Sequence, residues 1–181
     1  MRPTAGSRIA LRDSRPGDTA DITRIYAHWV RYGLASFELE PPDETEIARR
    51  RSALLAAGFP YLVAEDPAGA VVGYAYAGPY RSRPAYRFSC EDSIYLAPHA
   101  TGAGVGRMLL RELIGRCEAI GQRLMVAIIG DGSAPSVRVH AALGFRHAGT
   151  LPAVGWKHAR WVDTVLMVRP LGPGAQSAPD E

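Results

Sequence analysis

The chain is short of cysteine, nearly without lysine and free of long apolar runs, and each shortage excludes something. Cys90 and Cys117 are its only two cysteines. They are too few and too isolated for a disulfide framework or a metal site, so they read as buried thiols. Lys157 is the lone lysine among 21 basic residues, and the arginines are scattered rather than run together. A net charge of +3 without a clustered basic face does not describe a nucleic-acid binder. No uninterrupted apolar stretch of about 18 residues occurs, which argues against a membrane-spanning helix. Residues Met1 to Ser7 lack the apolar centre of a secretory leader, and the reading is a cytoplasmic protein. His28, His99, His147 and His158 show no paired ligand spacing, and no metal is expected.

What remains is the composition of an ordinary globule. A length of 181 residues suits one domain, expected over residues 8–170, with flexible tails at 1–7 and 171–181. Ile9–Arg12 reads as a strand. Asp18 has the chemistry of an N-cap for a helix carrying Ile22, Ile25, Tyr26 and Trp29. A second helix starts near Asp43 and stops at Gly58. Tyr61–Glu65 and Ala70–Ala77 flank the turn Asp66-Pro67-Ala68-Gly69 and read as a hairpin. Phe88–Leu96 is a strand, and the helix after it puts Leu109, Leu113, Ile114 and Cys117 on one face. Leu124–Ile129 is continuously apolar, as in a strand buried on both sides. Ser136–Leu143 reads as a helix and Trp161–Val168 as the final strand. This order predicts an α/β (α+β) sandwich with a parallel crossover at its centre.

The loop Gly102-Ala103-Gly104-Val105-Gly106-Arg107 lies between a strand and an amphipathic helix. A helix N-terminus exposes unpaired N–H groups, and glycines let an anion approach the backbone closely. A phosphate cradle is therefore physically reasonable, although alternating glycines also serve plain turns. Arg107-Met108 stands where a P-loop needs Lys-Ser/Thr. The spacing also misses the dinucleotide-binding fingerprint.

Ile94-Tyr95-Leu96-Ala97-Pro98, this loop, and Ser136-Val137-Arg138-Val139-His140-Ala141-Ala142-Leu143-Gly144-Phe145 together resemble the core motifs of the GNAT superfamily of N-acetyltransferases. Tyr74-Ala75-Tyr76-Ala77-Gly78-Pro79, Arg83, Tyr86, Glu91 and Gly155-Trp156-Lys157-His158 resemble segments of its phosphinothricin and methionine sulfoximine acetyltransferases. The likeness runs from about Ile9 to Val168. It implies the GNAT fold, a mixed, mostly antiparallel twisted sheet of seven strands flanked by four helices, with the parallel crossover at the coenzyme site.

The resemblance also implies acetyl-CoA as co-substrate. The backbone at Ile94, Tyr95 and Leu96 would hold the pantetheine arm, and Gly102, Ala103, Gly104, Val105, Gly106 and Arg107 the pyrophosphate. Ser133 replaces a common asparagine, Ser136 opens the last helix motif, and Thr101-Gly102 replaces a more basic start of the loop. Backbone amides do not depend on side-chain identity, so weaker coenzyme binding is expected rather than none.

An amine attacks a thioester only as the free base, which calls for a nearby carboxylate. Glu91 and Asp92 precede Ile94 on the strand and must face opposite ways, and the resemblance favours Glu91 as the base. His140 stands where relatives carry a catalytic tyrosine or histidine, implying an acid or proton relay, with a packed core histidine as the bland reading. Arg83, Tyr86 and Tyr76, with Phe37 on a covering segment, would form the acceptor pocket. Arginine supplies a planar fork for an acceptor's anionic group, and tyrosines supply apolar walls with polar tips.

The expected reaction is acetylation of a small amino acid or analogue. Another amine (polyamine, aminoglycoside, protein N-terminus) and a non-catalytic acyl-CoA-binding module are the alternatives. A homodimer is implied, with the strand Val162–Val168 contributing to its interface.

Overall fold

Seven strands and four α-helices make up residues 9–179, the part of the chain that the computed structural model describes. In chain order they are β1 (Ala10–Asp13), α1 (Thr19–Tyr32), α2 (Glu44–Ala56), β2 (Tyr61–Glu65), β3 (Val71–Pro79), β4 (Ser89–Leu96), α3 (Val105–Ala119), β5 (Leu124–Gly130), α4 (Ala134–Ala142), β6 (Arg146–Lys157) and β7 (Arg160–Pro170). The sheet order is β1-β2-β3-β4-β5-β7-β6. Every pairing is antiparallel except β4–β5, which α3 joins as a crossover. The mixed sheet expected from the sequence is the sheet observed.

Local chemistry explains most elements. Asp43 caps α2 by accepting from the Glu46 amide at 2.8 Å. The Asp66 carboxylate accepts from the Ala68 and Ala70 amides and closes the β2–β3 hairpin. Asp18 behaves differently from expectation. It stands at the N-cap of α1, but its carboxylate accepts from the two terminal guanidinium nitrogens of Arg12 at 2.8 Å and caps no α1 amide. Helix α4 begins at Ala134, two residues before Ser136, because Pro135 fits a first helical turn that has no need of its amide.

Four further departures matter. Strand β6 was not expected, since Pro152 and the four small residues Ala148, Gly149, Ala153 and Gly155 hide its alternation, and its register against β7 shifts twice. Ile128 is exposed within the otherwise apolar β5. Strand β7 lies between β5 and β6, so the run Val162–Val168 is paired on both edges, and Val162 and Met167 belong to the interior. Leu171 is fully buried and Arg123 bonds Gly174 and Ala178 carbonyls, so the segment after residue 170 packs on the domain. Residues 1–7 lie outside the described residues.

The strand parities of β4 separate two faces. Tyr95 packs edge-on against Tyr26 of α1, whereas Cys90 meets Cys117 of α3. Helices α1 and α2 thus cover one face, and α3 and α4 the other. Strand β4 pairs with β3 as far as Leu96–Gly73, yet with β5 only from Ser89–Leu124 to Glu91–Val126. Beyond Glu91 the two parallel strands part. The site is built around that gap.

Candidate active site

The expected coenzyme loop sits at the N-terminus of α3. Gly104 is the N-cap with φ of 83°, a left-handed conformation that glycine adopts without strain. No side chain caps the helix, no acidic residue occupies its first turn, and its first backbone bond runs from the Met108 amide to Gly104. The amides of Val105, Gly106 and Arg107 are therefore free to receive an anion, with the helix dipole adding attraction. Thr101 turns its hydroxyl to the Pro98 carbonyl at 2.8 Å.

Strand β4 supplies the next part. Ile94, Tyr95 and Leu96 are paired to β3 on one side, and on the other side they face no strand among the described residues. An unpaired strand edge offers backbone donors and acceptors to an extended ligand. One of them is already used, since the Leu96 carbonyl accepts from Trp29 Nε1 at 2.7 Å. The Tyr95 side chain is buried among Tyr26 and Tyr74, so only its backbone serves the edge. Ser133 is exposed at the start of α4, and Ser136 is half-buried one turn on.

Glu91 and Asp92 separate as alternation requires. Glu91 is half-buried on the α1 face, opposite Gly78 of β3 and Val126 of β5. Burial raises its pKa to about 6, the charge of Asp92 adds to the rise, and Arg81 opposes it. A half-buried carboxylate tuned toward neutrality is suited to proton transfer, although Glu91 itself lines neither of the two cavities described below.

Asp92 turns to the α3–α4 face and meets His140. Nε2 of His140 lies 3.0 Å from Asp92 Oδ2, with side-chain exposures of 5% and 3%. Nδ1 lies 2.7 Å from the Ser136 carbonyl. A carbonyl only accepts, so Nδ1 carries a proton, and Nε2 shares a second one with the carboxylate. Burial alone would lower the imidazole pKa, but the Asp92 bond and charge, with the Ser136 carbonyl, leave it raised. Surrendering the shared proton would set a buried lone pair against a buried carboxylate. The structure thus does not bring His140 to Glu91; it gives the histidine to Asp92, with both nitrogens engaged. Sequence spacing held no sign of this pair.

The acceptor set is only partly gathered. A cleft of roughly 380 Å³ on the Glu91 face is lined by Phe37, Arg81, Ile128, Trp156 and Leu166 among others. Phe37 is where it was expected. Tyr76 instead lines a separate recess of roughly 430 Å³ under α2, with Tyr26, Tyr61 and Tyr74. Arg83 and Tyr86 are exposed on the segment between β3 and β4 and line neither cavity. The cleft's cation is Arg81, which two-residue spacing from Arg83 left unnoticed. The signal available was its position two residues after the end of β3, at the margin of the sheet. Among the described residues, no three His, Cys, Asp or Glu side chains are arranged to hold a metal ion, and no helix is long and apolar enough to cross a membrane.

The acetyltransferase (GNAT) family matches residues 22–145. The chain is 54% identical to phosphinothricin N-acetyltransferase of Alcaligenes faecalis, covering 94% of this chain and 86% of that protein. It is 38% identical to the L-methionine sulfoximine/L-methionine sulfone acetyltransferase of Pseudomonas paraeruginosa, over 94% of this chain and 98% of the relative. The crystal structure of a GNAT superfamily phosphinothricin acetyltransferase from Sinorhizobium meliloti, in complex with acetyl-CoA, superposes with a TM-score of 0.94. That relative is 50% identical, and the match covers 96% of this chain and 94% of it.

Proposed function

This chain belongs to the acetyltransferase (GNAT) family and is an N-acetyltransferase, and from that premise we propose that it acetylates the α-amine of small amino-acid analogues with acetyl-CoA. Phosphinothricin, methionine sulfoximine and methionine sulfone, named for its relatives, are the acceptors. The observation that carries the reading is the place of Glu91. It is the last β4 residue paired to β5, on the cleft face, where the strands begin to part.

In this reading the free amides of Val105, Gly106 and Arg107, with the backbone of Gly102, Ala103 and Gly104, hold the pyrophosphate. The open edge at Ile94, Tyr95 and Leu96 holds the pantetheine arm, flanked by Ser133 and Ser136 of α4. The acceptor lies in the opposite cleft with its anionic group on Arg81. Arg83 and Tyr86 serve as rim, and Tyr76 backs the site from its recess. The acceptor ammonium gives one proton to Glu91, the nitrogen lone pair forms the amide C–N bond, and the thioester C–S bond breaks. The second N–H proton ends on the departing sulfur, so atoms and charge balance. His140, with both nitrogens occupied, holds α4 against β4 through Asp92 and contacts no substrate.

We place the enzyme in the cytoplasm as a homodimer, which light scattering checks. Trp161 of the β6–β7 hairpin is exposed, does not line the acceptor cleft, and gives the dimer an apolar contact. Thiol release from acetyl-CoA tests the function directly, with the three analogues set beside a polyamine, an aminoglycoside and an N-terminal peptide. Turnover of the analogues is expected; their silence, or a preference for the peptide or polyamine, would remove the reading.

A further inference from the structure

The chain's only lysine is buried. Lys157, the last residue of β6, has a relative exposure of 2%. Its Nζ donates to the Ser36 carbonyl at 2.6 Å. Among the described residues it forms no ion pair, and burial lowers its pKa, with the charge of Glu38 opposing. An ammonium has three donors and is costly to desolvate, so a methionine-like side chain would fill this space with less penalty. The lysine contributes something other than packing, and its acceptor shows what.

Ser36 belongs to the irregular stretch between α1 and α2 that carries Phe37 into the acceptor cleft. The stretch is bound along its length. Tyr95 Oη donates to the Ala35 carbonyl at 3.3 Å, and His158 Nε2 lies 3.3 Å from the Gly33 carbonyl. The Ser36 hydroxyl bonds Tyr26 Oη at 2.8 Å, and Tyr26 Oη donates to Glu38 at 2.9 Å. Phe37 itself is 40% exposed, so burial does not fix its ring. What seats the ring is a notch at Gly155, where an added Cβ would come within 2.1 Å of ring carbon Cε1. Lys157, two residues on from that notch, grips the backbone one residue before the ring.

We propose that Lys157 is a positioning residue: by holding the Ser36 carbonyl it keeps Phe37 seated on Gly155 as a wall of the acceptor cleft, and so sets which acceptor side chains fit. The proposal rests on the acetyl-transfer reading for its substrate but not for its geometry. Acetyl-CoA is held on the far face of the sheet, and the latch does not touch it. Losing the lysine therefore weakens acceptor binding selectively.

Lys157→Met and Gly155→Ala test this separately. The first removes the anchor and keeps the volume, and the second displaces the ring while leaving the lysine intact. In the thiol-release assay Lys157→Met raises the acceptor KM by about fivefold to tenfold, the worth of one hydrogen bond, and Gly155→Ala raises it too, by displacing the ring. The KM for acetyl-CoA stays within about twofold, as one site's loss leaves a distant site additive. Equal rises in both KM values, or no rise in either variant, would overturn the proposal. Amide hydrogen exchange decides the same point without turnover. In Lys157→Met, exchange at Leu34 to Glu38 is expected to quicken about tenfold while α3 and β5 keep their rates. Unchanged exchange there overturns the latch even if the variant is kinetically altered. If the wild-type chain acetylates none of the analogues, the functional reading falls and the exchange experiment still judges the latch.

Discussion

Two adjacent carboxylates on β4 meet different surroundings because consecutive strand residues face opposite sides of a sheet. Glu91 faces the α1 side of the sheet, where the cleft also opens, and stays half-buried within electrostatic reach of Arg81. Asp92 faces α4 and is closed over by His140. In the proposed mechanism Glu91 must be ionised to accept a proton, so its raised pKa has a kinetic consequence. With Glu91 at about 6 in the free enzyme, kcat/KM for the acceptor is expected to fall below that pH. The fall approaches about tenfold per pH unit, since the ionised fraction limits the rate. Glu91→Gln should remove that acid limb and lower kcat by about 10²–10⁴-fold. An acid limb of the same midpoint persisting in the variant would assign the titration elsewhere. The opposition of the two carboxylates was legible from alternation alone. The histidine's partner was not, because His140 and Asp92 are 48 residues apart, and only the packing of α4 on β4 brings them together.

Elements differ in how openly their sequences declare them. Helix α3 announces itself by its apolar stripe, and its glycine-rich start by the lack of any capping side chain. The hairpin β2–β3 is declared by Asp66 and Gly69, whose turn chemistry is local. Strand β6 is not, since bulges break the two-residue period and Ala153 takes a positive φ of 49°. Its existence depends on β7 beside it, a long-range cause with no local signature. The same dependence hid the cleft, whose outer wall comes from β6. For α3 the consequence is testable. Gly104→Ala meets no atom within 4 Å, so any effect is backbone strain at φ of 83°. A non-glycine residue there costs about 1–2 kcal/mol, which tilts the N-cap away from the geometry that aims the first-turn amides. The KM for acetyl-CoA is expected to rise about fivefold to thirtyfold, the equivalent of that strain, with the acceptor KM unaltered. A KM for acetyl-CoA that does not move would show that the cradle lies elsewhere.

At the scale of the whole molecule, the sheet is a partition with one opening. The uncapped N-terminus of α3, proposed to hold the pyrophosphate, belongs to the α3–α4 side, whereas Phe37 and Arg81 line the cleft on the other side, which Glu91 also faces. Two ligands on opposite faces need not exclude one another, and they can meet only where β4 and β5 part. A double-displacement route would need a protein nucleophile at that opening. Cys90 is fully buried and its thiol is pushed far up by its hydrogen bond to Cys117 and by burial, while Cys117 is fully buried too. Lys157 spends its amine on Ser36. Direct transfer within a ternary complex is what this arrangement permits. Initial-rate lines at varied acceptor and fixed acetyl-CoA concentrations are therefore expected to intersect, and incubation with acetyl-CoA alone to leave the intact protein mass unchanged. Parallel lines together with an acetylated protein would mean that a residue now assigned to structure carries the group, and the two-faced partition would lose its mechanistic meaning.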